Sequence, residues 1–244
     1  MTLIITELSE FGIAMVADSA ITYREKTPTG DDIQRVLSGA RKLQVIPYLN
    51  TAISMWGLGS IETPAGPVST DVWIDHFIGQ HADIRSIDDF ANLLAQELQQ
   101  AVGVVEEPIG FHLPGYVEED GAMLTTFYHV RNVDGTYGNF KYHDFIPGQD
   151  IPPQDFKGKI HRTRNGDFGP YAVLADAVEK VLPKVAAIGL TIPYPSLHGR
   201  VRYLIAWLRF VSDLYTSSGK LPTIGGRIAA LGITSEGQVL SYPT

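Results

Sequence analysis

Residues 2–18, TLIITELSEFGIAMVAD, decide how this chain is read. An apolar, β-branched run begins directly at position 2, whereas the first residues of most domains are loose and polar because an untethered terminus gains little from being ordered. Leu3–Leu8 and Gly12–Ala17 are β-rich and are separated by Ser9, Glu10 and Phe11, which predicts a hairpin that starts at the terminus itself. Methionine ahead of a small residue is commonly removed in the cell, and its removal here leaves Thr2 with a hydroxyl and a free α-amine on one residue. A neutral hydroxyl needs a neighbouring base, and an α-amine, titrating at about 7.7–8.0, is partly unprotonated at neutral pH. Many chains start Met-Thr, so Thr2 alone reads as an ordinary strand residue; its candidacy as a nucleophile rests on the rest of the chain.

Composition sets the frame. With 244 residues of which 44% are hydrophobic, the chain can bury a large core, and no Pro/Gly/Ser-rich linker, internal repeat or low-complexity tract divides it, so a single domain over residues 1–244 is expected. A net charge of −8 argues against a nucleic-acid surface. The absence of cysteine excludes disulfides, thiolate metal sites and a Cys nucleophile, and fits a cytoplasmic location. No cationic leader with an apolar core opens the chain and no apolar run approaches the ~18 residues of a membrane span, so no membrane partner is expected.

Outward from the first hairpin, a polar loop is expected over Tyr23–Arg41, then two strands in KLQVIP and TAISMWG, closing on the Gly57-Leu58-Gly59 turn. A short helix is expected over Thr70–Gln80. Ser86 and Asp89 form a capping pair ahead of a helix whose Ile87, Phe90, Leu94, Leu98 and Ala101 share a face. Strands return in IGFHLPGY, AMLTTFYHVRNV and YGNFKYHDF, with a turn at Asp134-Gly135 and a loop over Pro147–Pro153. A strand over Lys159–Arg164 precedes a helix from Phe168 to Leu182, ended by Pro183 and the following Gly189, Pro193 and Pro195. A last helix over Leu197–Leu214, with Val201, Leu204, Ile205, Leu208 and Val211 on its apolar face, leads to the hairpin of RIAALGIT and QVLSY. Strands, two helices, strands, two helices, strands: this order suits an α+β sandwich of two stacked antiparallel sheets with helix pairs on the outer faces.

On these residues the chain resembles the proteasome-type N-terminal nucleophile (Ntn) hydrolases: β-type proteasome subunits, the simpler bacterial ring peptidases, and especially the bacterial β-proteasome homologues. Thr2 opens the first strand, and GIAMVADSAIT is similar to the family's strand ending in Ala-Asp-Ser. Arg41-Lys42-Leu43, VIP and YLNTAISMWGLGS resemble its lysine-bearing strand and glycine turn. IGFHLPGYVEEDGAMLTTFYHVRNVDGT is similar to its Gly-Tyr-Asp hairpin, RNGDFGPYAVLADAV to its Gly-Ser-Gly turn and helix, and SDLYTSSGKLPTIGGRIAALGITSEG to its Asp-x-x-Ser-Gly helix end and closing strand.

The resemblance implies the four-layer αββα Ntn-hydrolase sandwich and a threonine-type endopeptidase. Thr2 Oγ is then the nucleophile, supported by Asp18 and Lys42. A lysine ammonium near Thr2 favours the deprotonated hydroxyl and the neutral amine, and Asp18 keeps the lysine charged and oriented. Whether the amine or the lysine takes the proton stays open. Gly57 is assigned the oxyanion-hole N–H, with Gly59 as the alternative, because a residue without Cβ lets a substrate backbone approach. Asp213 and Thr216 match the family's Asp and Ser that support the N-terminal amine. At the Gly-Ser-Gly turn stand Asn165 and Gly166, an amide where the family has a hydroxyl.

The partners implied are further copies of the chain in a homo-oligomeric ring or stacked rings, and a peptide or unfolded protein as substrate; an ATP-dependent unfoldase is possible by analogy. No cofactor and no metal is expected: the seven histidines are scattered, and His76 and His81 lack the i, i+4 spacing that puts two ligands on one helix face. Two other readings stand beside the peptidase: a catalytically silent scaffold or assembly subunit of the same fold, and an Ntn amidase acting on a small non-peptide substrate.

Overall fold

The structure is a computed structural model that describes residues 2–26, 32–102, 108–119, 121–132, 141–145, 160–188, 196–219 and 221–243. The opening hairpin forms as expected, β1 over Leu3–Ser9 and β2 over Gly12–Asp18, in the register Ile4↔Ala17 to Ser9↔Gly12. All fourteen residues of the two strands are buried. That is why the stretch reads as continuous apolar sequence rather than as alternation: alternation marks a strand with one wet face, and these have none.

Both faces are covered because the strands lie inside a stack. One sheet runs β12-β1-β2-β13-β14, with β12 at Ile160–Gly166, β13 at Ile228–Ile233 and β14 at Val239–Ser241. The other runs β11-β10-β9-β6-β5, with β5 at Leu43–Ile46, β6 at Thr51–Gly57, β9 at Ile109–Glu119, β10 at Ala122–Arg131 and β11 at Lys141–Phe145. Helices α1 (Thr70–Gln80), α2 (Ile87–Val102), α3 (Gly169–Ala187) and α4 (Leu197–Ser217) are the α-helices among the described residues.

Three apolar layers hold the stack together. Leu3, Ile5 and Val16 pack under Tyr171 of α3 and Leu204 and Leu208 of α4. Ile4, Leu8, Ile13 and Met15 meet Ala52, Trp56 and Phe127 between the sheets. Ile53, Phe111 and Leu113 pack under Phe77 of α1 and Phe90, Leu94 and Leu98 of α2. Successive β1 side chains therefore enter different layers, as the period of two requires. The result is the four-layer αββα sandwich expected from the sequence.

The capping pair also forms: the Asp89 N–H donates to Ser86 Oγ at 3.0 Å, and Ser86 Oγ donates to the Asp89 carboxylate at 2.7 Å. Elsewhere the structure departs from expectation. The Tyr23–Arg41 loop contains the ends of a hairpin, β3 (Ala20–Lys26) and β4 (Asp32–Ser38), and a second small hairpin, β7 (Ser60–Thr63) and β8 (Gly66–Ser69), follows the glycine turn. Each pairs only with itself, outside the two main sheets, so neither carries the long apolar run that marks a core strand. Pro183 does not end α3, which continues to Ala187. Pro183 is exposed there, and water can satisfy the carbonyl left without its N–H donor. The expected turn at Asp134-Gly135, the loop over Pro147–Pro153 and the breaks at Gly189, Pro193 and Pro195 lie outside the described residues.

Candidate active site

Thr2 sits at the head of β1 and is buried despite its place near the chain start, 2% exposed. β2 runs back antiparallel, so its last residue, Asp18, arrives beside Thr2. Lys42, immediately before β5, comes in from the other sheet and is likewise buried. The three meet on one oxygen. Asp18 Oδ1 accepts from Thr2 Oγ1 at 3.2 Å, from the Leu3 N–H at 2.9 Å and from Lys42 Nζ at 2.9 Å. Asp18 Oδ2 accepts the backbone N–H groups of Ala20 and Gly225, each at 3.1 Å. Five donors from four segments thus fix this carboxylate, and Lys42 Nζ also donates to the Ala20 carbonyl.

Burial pulls the Lys42 ammonium below the ordinary lysine range, and the attraction of Asp18 opposes that shift without cancelling it. A lysine biased toward losing its proton, joined through one carboxylate oxygen to a threonine hydroxyl, is an arrangement able to handle a proton. Thr2 and Lys42 share a narrow cleft with Ala20, Ile21 and Thr22 of β3 and with Met55, Trp56, Gly57 and Gly59.

The glycines at this cleft are there for steric reasons. Gly57 has φ +91°, and a Cβ there would lie 1.9 Å from the Pro108 carbonyl oxygen. At Gly59 a Cβ would come within 2.9 Å of the Ile21 methyl. Between them, the Leu58 N–H is already spent on Pro108 O at 3.2 Å. Gly166 has φ +97°, and a Cβ would lie 1.9 Å from the Thr2 carbonyl oxygen, so the end of β12 presses directly on the Thr2 backbone.

Three candidates stand elsewhere. Asn165 pairs with Ile4, whose side chain points between the sheets, and its amide oxygen is taken by His112 Nε2 at 2.7 Å. His112 Nδ1 in turn meets Thr6 Oγ1 at 3.0 Å. His112 is fully buried, which lowers its pKa to about 4 against the Asn165 contact. Asp213 and Thr216 are exposed on α4, and the Thr216 hydroxyl donates to the Ser212 carbonyl one turn back.

In their place the structure brings two residues that the sequence reading did not name. The Asp167 N–H donates to the Thr2 carbonyl at 2.6 Å, and its carboxylate accepts from the Tyr215 hydroxyl of α4. The signal for Tyr215 was present: the apolar face Val201, Leu204, Leu208 and Val211 continues at i+4 to Tyr215, whereas Asp213 and Thr216 lie off that face.

The fold is shared with proteins of known structure. Two solved structures share it: an Anbu mutant from Hyphomicrobium sp. strain MC1, with TM-score 0.51 and 12% identity over 98% of this chain and 85% of that one, and Anbu, an ancestral β-subunit, from Yersinia bercovieri, with TM-score 0.50 and 13% identity over 98% and 86%. No family model and no curated protein matches the chain. At this identity the likeness establishes the shared fold. Among the described residues no helix is long and apolar enough to cross a membrane.

Proposed function

We propose that the chain is one Ntn-hydrolase domain acting as a threonine-type peptidase subunit of a cytoplasmic homo-oligomeric ring, with Thr2 as the N-terminal nucleophile once Met1 is removed. The observation that carries this reading is the single oxygen, Asp18 Oδ1, that accepts from both the Thr2 hydroxyl and the Lys42 ammonium inside a buried cleft. Thr2 Oγ attacks the peptide carbonyl carbon while its proton passes to the free α-amine, and Lys42 offsets the charge on the oxygen as the bond forms. The Gly57 N–H is assigned to the oxyanion, at a position where only a residue without Cβ fits. The C–N bond then breaks, the ammonium returns its proton to the leaving amine, and water hydrolyses the ester on Thr2.

Self-assembly is supported by the outer helical layer. Val173 and Val181 on α3 and Ile188 just after it are exposed, Ile188 by 75%, as are Phe210 and Leu214 on α4. Apolar side chains left in solvent on this layer support a contact face with another copy of the chain. Sedimentation tests it: the parent runs as a closed oligomer, the double variant Val173→Glu/Ile188→Glu as a smaller species, and a monomeric parent removes the ring.

Intact mass tests the chemistry, taken with and without a peptide epoxyketone that needs both hydroxyl and amine. The expected result is a parent lacking Met1 that gains one probe mass, a Thr2→Ala variant that gains none, and a Thr2→Ser variant that retains some labelling. Retention of Met1 on the purified protein, or labelling of Thr2→Ala at the parental rate, defeats the reading.

A further inference from the structure

The resemblance implies Asp213 and Thr216 at the end of the last long helix, and Asn165 with Gly166 at the end of β12, near the amine of Thr2. The structure pairs a different carboxylate and hydroxyl next to the Thr2 backbone. The carboxylate is in the turn, as Asp167, and the hydroxyl is on the helix, as Tyr215.

Asp167 is held against Thr2 by backbone. Its N–H donates to the Thr2 carbonyl at 2.6 Å, one step beyond the Leu3↔Gly166 pair of the β1–β12 ladder. That bond sets Asp167 directly beside the backbone of Thr2, at the end of the ladder. Gly166 permits this approach, since a Cβ there would lie 1.9 Å from the Thr2 carbonyl oxygen. Tyr215 is fixed in its turn on the inward face of α4, packed with the layer that holds Leu3 and Val211. Burial, together with its bond to Asp167, raises the Tyr215 hydroxyl well above the ordinary tyrosine range, so it stays a donor throughout the neutral region.

We propose that Asp167 and Tyr215 form a carboxylate–phenol pair that positions the α-amine of Thr2 and sets its pKa. This rests on the reading of Thr2 as an N-terminal nucleophile. The Asp167 carboxylate stabilises the ammonium that forms when the amine takes the Thr2 hydroxyl proton. The Tyr215 hydroxyl draws off part of that negative charge and limits how far the amine pKa rises. Among the described residues, Asp18 at the end of β2 and Lys42 before β5 also stand at the Thr2 head, paired with each other. Asp213 on α4 is exposed.

The two members make opposite predictions. The experiment follows the epoxyketone labelling rate of Met1-free protein from pH 5 to 9, for the parent, Asp167→Asn, Asp167→Glu and Tyr215→Phe. Removing the carboxylate charge in Asp167→Asn moves the rising midpoint down by about one pH unit, and removing the phenol in Tyr215→Phe moves it up. Asp167→Glu restores a midpoint near the parent's, which a merely structural role would not require. A parent that labels while both midpoints stay unmoved overturns the pair and leaves the nucleophile standing, as does a shift produced by Asp213→Asn in their place. A Met1-free parent that never labels overturns the nucleophile, and the pair with it.

Discussion

Two buried carboxylates lie on the first hairpin, and the contrast between them separates chemistry from architecture. Asp18 ends β2, and Glu7 lies in the middle of β1; neither side chain has any solvent exposure. Among the described residues Asp18 has one cationic partner, Lys42, and it also accepts from Thr2 and three backbone N–H groups at the edge of a cleft. Glu7 has two guanidinium partners. Arg162 stands directly across the β1–β12 ladder and donates to Oε2 from Nε at 3.0 Å and Nη2 at 2.8 Å. Arg200 comes from α4 and donates at 2.5 Å to Oε1 and 2.7 Å to Oε2.

The two sites treat a proton differently. Lys42 is pulled below its ordinary range because burial outweighs Asp18. Arg162 is driven above its own, since Tyr171 and Glu7 outweigh its burial, and a guanidinium keeps its proton in any case. A lysine–carboxylate pair open to a cleft can exchange a proton with a third group; an Arg–Glu–Arg cluster sealed under α3 and α4 can only hold strand to helix. Arg162 and Arg200 each also lie over the Tyr203 ring, at 5.6 and 5.0 Å from its centroid, which ties the cluster further into the helical layer.

The sharpest way to break this contrast is Lys42→Met. The expected loss of epoxyketone labelling is at least ~10³-fold, about 4 kcal/mol of barrier. Lys42→Arg is expected to fare little better, because a planar guanidinium does not fit the Asp18 and Ala20 acceptors of one ammonium. If Lys42 resembled Arg162 in role, labelling per folded molecule would survive both changes and only stability would fall.

Glu7→Gln tests the other side. It leaves two buried guanidinium groups with a neutral partner, and the expected cost is about 3–4 kcal/mol in urea unfolding, toward the lower part of the range for a broken buried pair because the amide keeps one acceptor. Labelling per folded molecule is expected to stay at the parental rate. The triple change Glu7→Leu/Arg162→Met/Arg200→Leu recovers most of the loss if the cluster serves packing alone. A labelling defect in Glu7→Gln at full folding would show that the two carboxylates are coupled along β1.

The contrast also marks how much was legible in the sequence. The sandwich was, because β1 and β2 announce full burial by continuous apolar residues and α2 and α4 by helical spacing. Thr2, Asp18, Lys42 and Gly57 were singled out by the resemblance, and the structure brings Thr2, Lys42 and Gly57 to one cleft with Asp18 hydrogen-bonded to Thr2 beside it. Asp213 and Thr216 were matched by letter pattern, and the pattern is blind to which side of α4 faces in; the helix's own apolar face selects Tyr215. Asn165 was matched to the right turn, but strand alternation sends its side chain between the sheets to His112. The Glu7 cluster was invisible because its three members come from β1, β12 and α4 and share no local spacing.

His112 provides an intermediate case, a buried titratable group without a counter-ion. Its folded pKa is held at about 4 by burial, with Asn165 opposing, against an ordinary value of 6.5. Between these values the unfolded chain binds a proton that the folded one refuses. The stability associated with a neutral His112 is therefore complete above about pH 6.5 and is lost as the pH falls toward 4. The expected loss is about 3 kcal/mol, read from urea midpoints across that window at fixed protein concentration. His112→Gln flattens that part of the curve if His112 is its source; an unchanged slope assigns it to other groups.

The smallest expected effect calibrates the others. Ser86→Ala removes the oxygen that receives the Asp89 N–H at the start of α2, on the far side of the second sheet from Glu7 and its arginines. Loss of such a cap costs about 1 kcal/mol, and no charge is exposed or stranded by it. Urea unfolding is expected to record that loss while labelling remains parental. If so, a modest loss of stability does not by itself reach the Thr2 cleft, and the failure of Lys42→Met to label is attributable to the cleft. A labelling defect in Ser86→Ala would instead mean that the cleft responds to any weakening of the stack, and the distinction between Asp18 and Glu7 would then have to rest on pH dependence rather than on rate.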